Sequence, residues 1–134
     1  MTELEYIKWN DPAEFYILDI NGLMKFGVTS NMERRIHFYL KECGKDASIN
    51  KIKTEIRKTY WEAEFIEQMI KWRLRPWAFE GKHEWIDAPI QIVLDCFYDT
   101  KKIIGHDLKE YRYIHTKGSE RWGHYKQTAD FLFK

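Results

Sequence analysis

Tyr16, Lys25, Arg35 and Tyr39 are the first residues along the chain whose types and spacing could do chemistry together, and Glu67 joins them from a later element. An ammonium and a guanidinium can hold an oxyanion, and the planar fork of an arginine meets two of its oxygens at once. A free phenol loses its proton near ~10, so a tyrosine works as a base at neutral pH only beside a cation that lowers this value. If the two lie on adjacent strands, the spacing permits Lys25 to supply that charge to Tyr16 or to relay the proton itself. A carboxylate facing a cleft can hold a hard cation while leaving most ligand positions to water and substrate oxygens.

These residues need a scaffold, and residues 14 to 39 supply one. Two short apolar runs, about 14 to 20 and 23 to 29, meet at Asn21-Gly22, the pair that best tolerates positive φ at both centres of a tight hairpin. In the first run Phe15, Ile17 and Asp19 share one face and Tyr16, Leu18 and Ile20 the other. Both faces are largely apolar, so the strand is expected to be covered on both sides. Ser30 to Glu33 reads as a capping box that opens a helix over about 31 to 42. Its core stripe is Met32, Ile36, Tyr39, Leu40 and Cys43, with Arg35 at the edge and Gly44 after the end.

Later elements follow the same logic. Residues 51 to 58 alternate charged with uncharged positions as in a half-exposed strand, although Ile49, Ile52 and Ile56 also fit helical spacing. Thr59 to Glu62 is a second capping box. The helix behind it has a polar stripe of Glu64, Gln68, Lys71 and Arg75 beside an apolar stripe of Ala63, Ile70 and Leu74. Glu67 falls on the boundary, and Pro76 ends the helix. A loop over 77 to 87 holds an extended Glu84-Trp85-Ile86 piece. Pro89 then starts a helix with Ile90, Val93, Leu94 and Phe97 on one face. Residues 101 to 134 read as an extension, as a hairpin with a turn at Lys117-Gly118. The domain reading is therefore a lead-in over 1 to 13, a core over 14 to 99 and an extension over 100 to 134. The fold class is α/β (α+β), a small, mainly antiparallel sheet flanked by helices.

In order, these motifs resemble the core of the GIY-YIG nuclease superfamily, metal-dependent enzymes that hydrolyse nucleic-acid phosphodiesters. Phe15-Tyr16-Ile17 stands at the first tripeptide, and Lys25-Phe26-Gly27 at the second, where one branch writes Lys for Tyr. Arg35 matches the helix arginine, Tyr39 follows one turn later, and the helix around Glu67 matches the one bearing the metal-binding glutamate. Glu84-Trp85-Ile86 is similar to an ending found in a phage and bacterial branch. The resemblance covers roughly residues 14 to 98. It implies Mg²⁺ (or Mn²⁺) on Glu67, Arg35 on a phosphate oxygen, Tyr16 as general base under the charge of Lys25, and Tyr39 on the attacking water or a phosphate oxygen.

The chain departs from the family pattern in named places. Glu14-Phe15 replaces Gly-Ile before Tyr16, Lys25 replaces a tyrosine, and Tyr39 stands where many members have histidine. Asn50 is the last asparagine, so the family's asparagine role is empty or falls to Glu84 or His83. The expected function is endonuclease action on DNA. The alternatives are an inactive nucleic-acid- or protein-binding module of the same fold, or a nuclease directed at RNA. Each residue also has a structural reading: Tyr16 and Tyr39 as packing, Lys25 as an exposed edge residue, Arg35 as solvated or ion-paired, and Glu67 as its partner.

Composition sets the frame around this. The 134 residues, with 22 Lys or Arg against 21 Asp or Glu and a net charge of +1, suit one folded domain and exclude a histone-like binder. Charge is uneven: nine Lys or Arg stand against four acids between Gly22 and Lys58, a local basic surface. Cys43 and Cys96 form no Cys-x-x-Cys pair, and His37, His83, His106, His115 and His124 form no helical ligand pair, so no zinc site is expected. No leader and no apolar span of ~18 residues is present, so the expected location is cytoplasmic, with no membrane partner. Lys109, Arg112, Lys117, Arg121 and Lys126, interleaved with Tyr111, Tyr113, Trp122 and Tyr125, could track a nucleic-acid backbone with some stacking. One small domain would cut both strands only as a homodimer or by two successive nicks.

Overall fold

The computed structural model describes residues 8–112 and 118–134. Tyr6, Tyr113, His115 and Lys117, and the side chain of His83, lie outside the described residues. The chain folds as α+β. Strands β1 (Ala13–Ile20), β2 (Leu23–Thr29), β3 (Ile49–Arg57), β4 (Ala78–Phe79) and β5 (Lys82–Ile86) form one sheet in the order β3-β1-β2-β5-β4. Every pairing in it is antiparallel. The helices are α1 (Met32–Cys43), α2 (Tyr60–Arg73), α3 (Ile90–Ile104) and α4 (Gly118–Leu132).

The hairpin turns where expected, with Asn21 at φ 53° and Gly22 at φ 93°, which is the demand of a two-residue turn on both central positions. Residues 51 to 57 are strand, not helix, and Ile52 is an extra residue in β3, since Ile17 faces Lys53 and Leu18 faces Lys51. The two faces of β1 bury separate clusters. Phe15 and Ile17 pack with Met24, Phe26 and Val28 under α2 and α3, with Phe15 and Phe97 stacked at 6.0 Å. Tyr16, Leu18 and Ile20 pack under α1 with Tyr39, Met32 and Cys43.

Several expectations need correction. The N-cap of α1 is Asn31, not Ser30: its side chain accepts from Arg34 N at 3.0 Å, and Thr29 Oγ1 accepts from Asn31 N. The second capping box forms as expected, with Thr59 Oγ1 donating to Glu62 Oε1 at 2.7 Å and accepting from Glu62 N. On α3 the buried residues are Val93, Phe97, Thr100 and Ile104, while Ile90 is exposed. That helix runs unbroken past Asp99, and Leu108, Tyr125 and Ala129 enter the core. Residues 118 to 132 form a helix and not a hairpin. The α4 helix lies against α2 and covers the face of α2 that the stripe pattern had left to solvent. Glu64 is consequently buried. No helix among the described residues is long and apolar enough to cross a membrane.

Candidate active site

The register Tyr16↔Gly27 and Leu18↔Lys25 puts Tyr16 and Lys25 on the same face of the hairpin. β2 pairs with β5 only at Met24 and Lys25. The remainder, Phe26, Gly27 and Val28, lines a cavity of about 1270 Å³. Tyr16, Lys25, Arg35, Tyr39 and Glu67 all line this cavity. Residues from β1, β2, α1 and α2, as much as 51 positions apart, thus meet in one place.

Tyr16 and Tyr39 share a hydrogen bond of 2.5 Å between their hydroxyls, with both rings buried and set edge to face. Gly27 makes room for it: a Cβ at residue 27 would overlap the hydroxyl end of Tyr16. Burial raises the pKa of Tyr16 well above the ordinary phenol range, the bond to Tyr39 raises it further, and Arg35 opposes both. Burial also raises that of Tyr39, but there the bond from Tyr16 and the charge of Arg35 work downward. Either hydroxyl can donate in this bond, and the donor stabilises the anion of the other.

Lys25 does not play the part expected of it toward Tyr16. Its Nζ donates to Glu84 Oε2 at 2.6 Å and lies 5.2 Å from the centre of the Trp85 ring. Arg35 is a cation that lowers the pKa of Tyr16. Burial disfavours the charge on Glu84, yet the hydrogen bond and charge of Lys25 outweigh it and hold this carboxyl below its ordinary value. Nor is Lys25 an exposed edge residue, being buried between β1 and β5. Arg35 sits 5.9 Å from the Phe38 ring, and its charge reaches Tyr16, Tyr39, Tyr60 and Glu84.

Glu67 is 8% exposed, accepts from Gln68 Nε2 at 2.9 Å and lies 3.8 Å from Lys71 Nζ. Its recorded partners are these two and not Arg35. Burial pushes its pKa up, against the pull of Lys71 and Gln68. Glu67 is the residue that could hold a divalent cation. Among the described residues no group of three or more His, Cys, Asp or Glu is arranged around a metal position. A single cavity-facing carboxylate fits Mg²⁺, which commonly keeps several waters and takes only one or two carboxylates. A cation at Glu67 would also offset the desolvation that lifts its pKa.

Sequence reasoning missed Glu64, which is 3% exposed and lines the same cavity. Its spacing of three from Glu67 was the available signal, because such residues are neighbours on a helix surface. Burial raises its pKa to about 7 despite Arg121. The Arg121 Nε lies 3.0 Å from Glu64 Oε1, but off the direction of a proper hydrogen bond, so both carboxylate oxygens are buried without one. Arg121, Trp122, Tyr125 and Lys126, read as able to track a nucleic acid, do line the cavity, whereas Lys109, Tyr111 and Arg112 do not. Tyr111 is instead stacked on Phe65 at 4.7 Å.

Six Lys or Arg and three Glu line the cavity, in a chain whose net charge is only +1. Burial shifts two of those carboxyls, Glu64 and Glu67, toward their neutral form. The arrangement can bind an anion, neutralise charge on it and hold a proton between two phenols. No protein-family model, curated protein or solved structure matches the chain.

Proposed function

We propose that this protein is a divergent GIY-YIG-type nuclease, a Mg²⁺- (or Mn²⁺-) dependent endonuclease that hydrolyses phosphodiester bonds in DNA. The observation that carries the reading is the meeting of Tyr16, Lys25, Arg35, Tyr39 and Glu67 in one positively charged cavity. Its volume of about 1270 Å³ exceeds the ~300–1,000 Å³ of ordinary small-ligand pockets, which supports a polymeric substrate.

The chain's own groups divide the work as follows. Arg35 and Lys25 neutralise the phosphate, the first through its planar fork and the second as a point charge. Tyr39 acts from its phenolate form, its own proton first released to solvent and the anion held by donation from Tyr16 Oη–H. Tyr39 Oη then takes the proton of the attacking water and returns to the neutral phenol. This exchanges the base role first expected of Tyr16 for one in which it supports Tyr39. Glu67 holds the cation, which when bound supplies charge neutralisation at phosphorus and a more acidic water. Glu67 raises the pKa of both tyrosines, an effect that a cation held there would offset.

Purified protein with Mg²⁺ should nick supercoiled plasmid, and Glu67→Ala should not. Equal nicking by the two proteins would overturn the assignment. Salt-sensitive DNA binding without cleavage under Mg²⁺ or Mn²⁺ would make the protein a binding module instead.

A further inference from the structure

Two rings on the cavity are open to solvent. Phe38, on α1, is 47% exposed, and Trp122, on α4, is 45% exposed. Each carries an arginine: Arg35 lies 5.9 Å from the centre of Phe38, and Arg121 lies 4.9 Å from that of Trp122. A third pair lines the same cavity, with Arg75 packed on the Trp72 ring at 3.6 Å. Half-exposed rings are ordinary on a protein surface. What sets these two apart is that each lines a charged cavity and lies against an arginine, which calls for a ligand that uses both.

A duplex does not use both. Its base faces are covered by their own neighbours, so an aromatic ring finds no free π-face without unstacking the helix. A strand with unpaired bases offers a match to both, a phosphate for each guanidinium and a base face for each ring. Alternating cations and rings are the physical basis of sequence-tolerant single-strand binding. The surplus of cations over carboxylates around the cavity matches a polyanion better than an apolar protein surface.

We infer that the cavity holds DNA as a single strand, or as the unpaired part of a branched duplex, with bases stacked on Phe38 and Trp122. As a statement about the substrate to be cut, this rests on the nuclease reading; as a statement about binding, it can be tested without cleavage. Fluorescence anisotropy in EDTA, at fixed salt, should compare a labelled oligonucleotide with the same sequence annealed to its complement. The single strand should bind on the order of tenfold more tightly. Phe38→Ala and Trp122→Ala should each weaken single-strand binding on the order of tenfold and leave duplex binding unchanged. Trp122→Phe, which keeps a ring, should retain most of the affinity.

Equal affinity for the two forms, or alanine variants that bind the single strand like the parent, would overturn the inference. A parallel Mg²⁺ cleavage assay separates the two readings. A labelled single-stranded oligonucleotide cut without loss in the alanine variants would keep the nuclease and remove the single-strand subsite. Selective single-strand binding with no cleavage would keep the subsite and remove the nuclease.

Discussion

The ring of Tyr16 lies across β2 at Gly27, where any side chain would collide with its hydroxyl end. The cross-strand partner of the buried tyrosine must therefore lack a side chain if the ring is to stay where it is. Gly27→Ala must push the ring away from the strand or the strand away from the ring, and either parts Tyr16 from Tyr39. Overpacking of this kind costs about 1–3 kcal/mol, which should appear as a lowered Tm with the fold retained. Plasmid nicking should fall on the order of 100-fold, because a reacting group displaced by about 1 Å loses that much.

The 2.5 Å bond between Tyr16 and Tyr39 makes the two hydroxyls one device. Removing either should disable it, and removing the second should then cost little. Tyr16→Phe and Tyr39→Phe should each lower nicking on the order of 100-fold, and the double variant should be no worse than the poorer single one. Rate measurements on all four proteins give the coupling directly. Independent, multiplying losses would show that the phenols act separately.

The local devices could be read from the chain, because each depends on neighbours in sequence. Asn21-Gly22 specified the hairpin, Thr59 and Glu62 the start of α2, and the alternation of Phe15 and Ile17 with Tyr16 and Leu18 the two buried faces. The five cavity-lining residues Tyr16, Lys25, Arg35, Tyr39 and Glu67 were picked out as a set only through a resemblance in motif order. What failed was long-range. Lys25 was assigned to Tyr16 because both lie on the hairpin, but Glu84, 59 residues away, reaches its ammonium first. Glu64 fell on a stripe that looked solvated, because no local pattern announced that α4 would cover it. The segment forming α4 alternates charged and aromatic residues without a clean apolar stripe, so its helical period was hidden.

Glu64 gives stability a pH dependence of definite sign. Burial raises its pKa from the ordinary 4.5 to about 7 in the fold, so between these values the native state binds more protons than the unfolded chain. Stability contributed by the protonated form is present at low pH and is lost as pH rises through about 7. The loss is on the order of 3 kcal/mol if the group acts alone. Thermal melts should show Tm falling from pH 5 to pH 8, and Glu64→Gln should flatten that fall by raising Tm at pH 8 while changing little at pH 5. An equal destabilisation by Glu64→Gln at both values would mean that the pair with Arg121 outweighs the cost of burial.

Glu67 separates a functional carboxylate from a structural one. A glutamate kept only to pair with Lys71 should stabilise the fold, and its removal should lower Tm. Burial instead drives its pKa upward, so the ionised side chain is a burden on the native state that grows as pH rises. Sites that bind a cation often carry such a burden, since the ligand relieves it and selection acts on activity. Glu67→Gln keeps the shape and removes the charge. The variant should be more stable than the parent at pH 8, with a smaller gain at pH 5, while plasmid nicking is abolished. Mg²⁺ should raise the Tm of the parent, through mass action on the native state, and leave that of the variant unmoved. A variant that is both less stable and equally responsive to Mg²⁺ would assign Glu67 to Lys71 and leave the cavity without its cation ligand.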